Sequence, residues 1–206
     1  MDGKRKGRGA SSWPRLLALA LCFFLGTVLG QVVAGRVPAE TGEELTAYLR
    51  GYIALEPSCS PQVVLSALVL YLRYPLLAVL LGFASVGVAL LPCFTAAYGF
   101  FLSFSVCCFT AAFGEEGVLL ALAVFGLRCA VTLPCYFLLA VPAWQTAGAL
   151  ADASFGRGRR REPIVYGRPW RRRVAVCGAV LLAGMCADLY FSPWLLQQAL
   201  ERVLGM

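Results

Sequence analysis

The sequence predicts an all-α, polytopic membrane bundle of about five transmembrane helices, with the amino terminus inside and the carboxyl terminus outside. Three observations predict it. Of the 206 residues, 60% are apolar and 14% charged, where a water-soluble domain runs nearer half and a quarter, so lipid is the main solvent. Apolar runs long enough to cross a hydrocarbon core of about 30 Å recur along the chain. The net charge of +7 is gathered in two basic blocks that flank such runs, so it reads as topology and not as a stripe for nucleic acid.

Residues 1–15 form a basic cytoplasmic tail with Lys4, Arg5, Lys6, Arg8 and Arg15, followed by a first uncharged span over 16–34. A basic start, an apolar run and the small residues Val32 and Ala34 also fit a cleaved signal peptide. The run is long for a signal, however, and further spans follow. Residues 35–73 are the one sizeable extracytoplasmic segment. Thr41-Gly42-Glu43-Glu44 has capping-box spacing, and Leu45, Tyr48, Leu49, Tyr52 and Ile53 recur at offsets of three and four, the pattern of an amphipathic helix. Pro57 and Pro61 close it and open a more apolar stretch over 63–72, which either lies at the interface or extends the next span. The segment either lies in the headgroup region and caps the bundle or offers those five helix residues as a docking surface for another protein.

From Tyr74 to Gly114 the only ionisable groups are tyrosines and cysteines, and about 40 residues is twice what one crossing needs. Two spans over 74–91 and 94–113 fit, with re-entrant hairpins as the alternative. The turn is expected at Leu91-Pro92-Cys93, because proline lacks an amide donor and biases its predecessor away from helix. The acidic loop Gly114-Glu115-Glu116-Gly117 leads into a fourth span over 118–144, interrupted by Arg128, Pro134 and Pro142. Residues 145–173, with Arg157, Arg159, Arg160, Arg161, Arg168, Arg171, Arg172 and Arg173, make a basic cytoplasmic loop. A fifth span over 174–191 and an outer tail over 192–206 complete the chain. Keeping both basic blocks inside requires an odd number of crossings.

No chemistry of an enzyme is legible. The chain has no histidine, and its cysteines (Cys22, Cys59, Cys93, Cys107, Cys108, Cys129, Cys135, Cys177 and Cys186) form no Cys-x-x-Cys pair, so they read as packing residues and no metal site is expected. No serine has a base partner, and Gly156-Arg157-Gly158 lacks the strand and helix of a phosphate loop. No catalytic residue and no cofactor are expected. Small residues at helical spacing, Gly26 with Gly30 and Ala175 with Ala179, Ala183 and Ala187, read as packing seams that face either this chain or a second copy, which leaves a homo-oligomer open. Arg128 lies about 15 Å past Val118 at 1.5 Å per residue, where an unpaired arginine costs from about 3 to well over 10 kcal/mol. Asp188, the one carboxylate within a span, is its expected partner. The alternative is a later start to span four, with Arg128 snorkelling to the interface.

The layout resembles the stage II sporulation protein M family of endospore-forming bacteria over nearly its whole length. The likeness lies in Arg73-Tyr74-Pro75-Leu76-Leu77, Leu81-Gly82, Val86-Gly87, Tyr98-Gly99-Phe100, the loop ending at Gly117, Leu133-Pro134 and Phe191-Ser192-Pro193. It departs at Leu127-Arg128-Cys129, where proline and then polar residues would be expected. The resemblance implies a multi-pass protein of the sporulation septum that acts while septal peptidoglycan is thinned and the membrane migrates around the forespore. It implies two partners, the wall-degrading stage II sporulation proteins D and P. A membrane scaffold for hydrolases is the function expected. A small transporter or export permease is the alternative, and nucleic acid or anionic lipid bound by the basic loop a third that ranks last.

Overall fold

The structure, a computed structural model, describes residues 12–36, 61–154 and 168–204. Among them nearly everything is helical and no strand occurs. The elements are α1 (Ser12–Ala34), α2 (Pro61–Gly82), α3 (Gly87–Phe113), a short α4 (Glu115–Ala121), a π-helical turn (Leu122–Gly126), α5 (Leu127–Ser154) and α6 (Arg168–Leu204). Five segments are long and apolar enough to cross a membrane: Trp13–Ala34, Val64–Gly82, Gly87–Ala111, Leu127–Ser154 and Trp170–Phe191. The all-α, five-span bundle expected from composition is therefore observed. Large apolar side chains such as Leu21, Phe24, Leu76, Leu80, Val180 and Leu182 are exposed on its outside, as they are when the surrounding solvent is hydrocarbon.

Two kinds of contact hold the helices together. The most extensive joins α1 to α3, and small residues make it. A Cβ on Gly26 would run into the Ala96 carbonyl, one on Gly30 into the Phe100 carbonyl, and one on Gly99 into the Phe23 carbonyl. Successive residues of α1 meet successive residues of α3, so the two run parallel with their backbones nearly touching. The α3–α5 contact is antiparallel instead and rests on larger side chains. Leu19, Ala78, Leu91, Tyr98, Tyr136 and Ala140 share one buried cluster, and Ala67, Tyr71, Cys135, Leu139, Cys177, Leu181 and Met185 a second between α2, α5 and α6.

Several boundaries differ from expectation. The turn between spans two and three lies at Phe83–Val86, and Leu91-Pro92-Cys93 sits inside α3. Proline at position 92 leaves the Val88 carbonyl without its amide partner four residues on, and the indole N–H of Trp144 donates to that carbonyl at 3.0 Å. A donor from another helix removes the penalty that made Pro92 look like a turn. The actual turn is tight: a Cβ on Gly87 would strike the Leu81 carbonyl.

Helix α2 starts at Pro61, where the missing N–H is harmless. Residues 61–73 are thus continuous with 74–82 in one helix, of which Val64–Gly82 is apolar enough to cross a membrane. The acidic loop reduces to one residue, Gly114, whose φ of 65° only glycine adopts freely. Residues 145–154 prolong α5 and 168–173 open α6, so the basic loop shrinks to 155–167, outside the described residues. The last helix runs on past Pro193 to Leu204.

Candidate functional site

The midpoints of the spans lie side by side. Gly99 is midway along Gly87–Ala111 and meets Phe23, near the middle of Trp13–Ala34. Tyr74 stacks on Tyr98 with ring centroids 4.0 Å apart and planes 14° apart, and Phe23 packs edge-on to Tyr98 at 5.9 Å. At this level, and extending toward the Gly114 end, the bundle carries a set of polar groups.

Two hydrogen-bond relays join α3 to α5, each running tyrosine to threonine to carbonyl. Tyr98 Oη donates to Thr132 Oγ1 at 2.9 Å, which donates to the Arg128 carbonyl at 2.8 Å. In the reverse sense, Tyr136 Oη donates to Thr95 Oγ1 at 2.7 Å, which donates to the Leu91 carbonyl at 2.7 Å. Thr95, Thr132, Tyr98 and Tyr136 are all buried. In hydrocarbon such side-chain bonds take the place of the hydrophobic drive between helices, at about 0.6 to 2 kcal/mol each.

One turn from Thr132 along α5, Arg128 Nη2 lies 3.1 Å from Asp188 Oδ2 on α6. The side chains are 26% and 6% exposed, so the two residues paired from the sequence do meet. The guanidinium also stands 5.5 Å from the centroid of the Tyr71 ring on α2, and Tyr71 Oη donates to the Gly184 carbonyl at 3.3 Å. Three helices thus converge on the ion pair. Arg128 Nε and Asp188 Oδ1 make no hydrogen bond. These are the two atoms that a bidentate, side-on fork would join, so the pair is held by one of its two strands.

The remaining expected residues fall differently. Gly26 and Gly30 are buried against α3. The alanines do not form a seam within the chain: Ala175, Ala179 and Ala183 are exposed, Ala187 is half-buried, and α6 packs through Cys177, Leu181, Gly184, Met185 and Asp188. A spacing of four identifies a face, not which face is covered. Leu45, Tyr48, Leu49, Tyr52 and Ile53 lie outside the described residues.

Sequence reasoning missed Arg73. It looked like a span boundary, yet it sits midway along Val64–Gly82, about 14 Å from either end at 1.5 Å per residue. It is exposed, its Nη2 donates to Tyr74 Oη at 2.9 Å and its guanidinium lies 4.4 Å from that ring's centroid. Among the described residues the one ion pair is Arg128 with Asp188, and none of their carboxylates pairs with Arg73. The signal that could have found it is Pro61, a helix-start residue set a full span before Gly82.

Fold and polar core together define a multi-pass helical membrane protein whose middle is pinned by polar contacts. No protein-family model matches the chain, and no curated protein or solved structure matches it.

Proposed function

We propose that the chain is an integral membrane scaffold of the sporulation engulfment machinery, which localises septal peptidoglycan hydrolases while the membrane migrates around the forespore. The resemblance to the stage II sporulation protein M family motivates the reading and names stage II sporulation proteins D and P as partners. In this reading both basic blocks are cytoplasmic, the helix carrying Leu45, Tyr48, Leu49, Tyr52 and Ile53 faces the wall, and lipid surrounds the rest. The observation that carries it is the way the bundle is fixed: glycine-to-backbone contact along α1 and α3, two polar relays between α3 and α5, and an ion pair between α5 and α6. A scaffold needs fixed geometry more than it needs chemistry. Deletion in a spore-forming host is expected to stall or bulge membranes at the septum. Changing the apolar face of the Leu45 to Ile53 helix is expected to abolish co-purification with a hydrolase while leaving membrane insertion intact. Binding that survives replacement of residues 37–60 would refute the assignment.

The second reading, a small transporter or export permease, has Arg73, Arg128 and Asp188 on its side, since ionisable groups within spans often line solute paths. It requires solute flux in reconstituted vesicles that disappears on changing Arg128.

A further inference from the structure

Among the described residues no carboxylate neutralises the charge on Arg73. An arginine on the outside of a bundle, halfway through the hydrocarbon, costs from about 3 to well over 10 kcal/mol unless it is paired or hydrated. One phenol oxygen is a weak partner for such a cation. The guanidinium therefore marks a place where an anionic group belongs.

The surroundings narrow the anion. Tyr74 Oη accepts from Arg73 and keeps its own proton, so the pair offers guanidinium N–H groups and one phenol O–H side by side. Together they carry one positive charge, which matches a single carboxylate. Lipid headgroups stand about 15 Å away, at the edge of the core. Free carboxylate ions do not reside in hydrocarbon. A second copy of the chain brings no free carboxylate to this depth from its described residues: Asp188 is already taken by Arg128, Glu115 and Glu116 open α4, and Asp152 and Glu201 lie near the ends of α5 and α6. What can carry a carboxylate to the middle of a membrane is a spanning helix of another protein. The face of α2 around Arg73 suits one, because Val69, Leu70, Arg73, Leu76 and Leu80 are all exposed and recur at offsets of one, three and four.

We propose that Arg73, with Tyr74 beside it, is an intramembrane docking site for the transmembrane helix of a different protein that bears Asp or Glu near its midpoint. The contact is a charge-assisted hydrogen bond from Arg73 to that carboxylate, with Tyr74 Oη donating to its second oxygen and the apolar residues of α2 packing on either side. The site does not depend on the identity of the wall hydrolases or on residues 37–60.

The test uses the full chain in proteoliposomes, with a donor dye on the protein and an acceptor dye on a synthetic leucine–alanine helix that carries one Asp at its centre. Energy transfer is expected to show the Asp helix binding about tenfold more tightly than the same helix with Leu at that position. Arg73→Leu is expected to erase the difference, and Arg73→Glu to transfer the preference to a helix with a central Lys. Gel filtration of each variant guards against misfolding, and retention of the preference in Arg73→Lys shows that charge is what matters. An Asp helix that binds no better than the Leu helix overturns the proposal, as does a preference that survives Arg73→Leu. Uptake of labelled acetate that depends on Arg73, without any helix preference, also overturns it, in favour of a solute path.

Discussion

The indole N–H of Trp144 donates to the Val88 carbonyl at 3.0 Å, the same carbonyl that Pro92 leaves without an amide. The two residues form one unit on different helices, and each has meaning only with the other. Trp144→Phe is expected to orphan the carbonyl and lower stability by about 1 to 2 kcal/mol. In a Pro92→Ala background, where the helix supplies its own donor, the same change is expected to cost clearly less. A double-mutant cycle read by reversible unfolding in lipid or mild detergent checks the coupling.

Glycines at the α1–α3 contact and glycines in open positions should respond in opposite directions. A methyl group on Gly26 or Gly99 meets a backbone carbonyl, so Gly26→Ala and Gly99→Ala are expected to force the helices apart and lower the unfolding midpoint. Gly148 and Gly178 have no atom within 4 Å of the added carbon. There the gain in helix propensity, about 1 kcal/mol, should leave stability equal or improved. Thermal unfolding of the four variants side by side separates the two cases.

Breaking the Arg128–Asp188 pair from one side leaves the other charge without its partner where the ends of the Leu127–Ser154 and Trp170–Phe191 spans pack together. Asp188→Leu and Arg128→Leu are each expected to cost about 3 to 5 kcal/mol, while the double leucine variant lies much closer to the wild type. A charge-reversed pair, Arg128→Asp with Asp188→Arg, should accumulate in the membrane better than either single reversal. Accumulation no better than that of the singles would mean that the pair contributes nothing to the assembly of α5 on α6.

The exposed alanines of α6 give a neutral control. Ala179→Leu and Ala183→Leu point away from the rest of the chain and are expected to shift stability by less than about 0.5 kcal/mol. Unfolding measured over a range of protein-to-lipid ratios checks this, since a contact with a second copy would make the effect depend on dilution.

Phe83, in the turn after α2, meets Trp170 near the start of α6 with ring centroids 5.5 Å apart. The turn and the arginines at 171–173 must then share one side of the bilayer. In a background freed of native cysteines, Ser85→Cys and Arg172→Cys are expected to react with a membrane-impermeant maleimide from the same side, and Gly114→Cys from the other.

What could be read from the sequence followed from composition and charge. Five long apolar runs imply five spans wherever they begin, and a lone arginine and a lone carboxylate within neighbouring spans have reason to meet, as Arg128 and Asp188 do, although the apolar segment carrying Arg128 starts at Leu127 and not at Val118. What could not be read depended on partners distant in the chain. Pro92 looked like a break because its local chemistry is unfavourable, and Trp144 corrects that from another helix. Arg73 looked like a boundary because charge lowers hydropathy, although a charge does not end a helix. Alanine spacing identified a face of α6 but not whether anything covers it, and the tyrosine and threonine relays had no local pattern to betray them.

The parallel contact of α1 with α3 also constrains biosynthesis. Among the described residues Gly26 and Gly30 of α1 meet α3, so when α1 leaves the ribosome the surface they pack on does not yet exist. That contact closes only after α2 has looped back and α3 has been inserted, so the glycines of α1 face lipid in the interval.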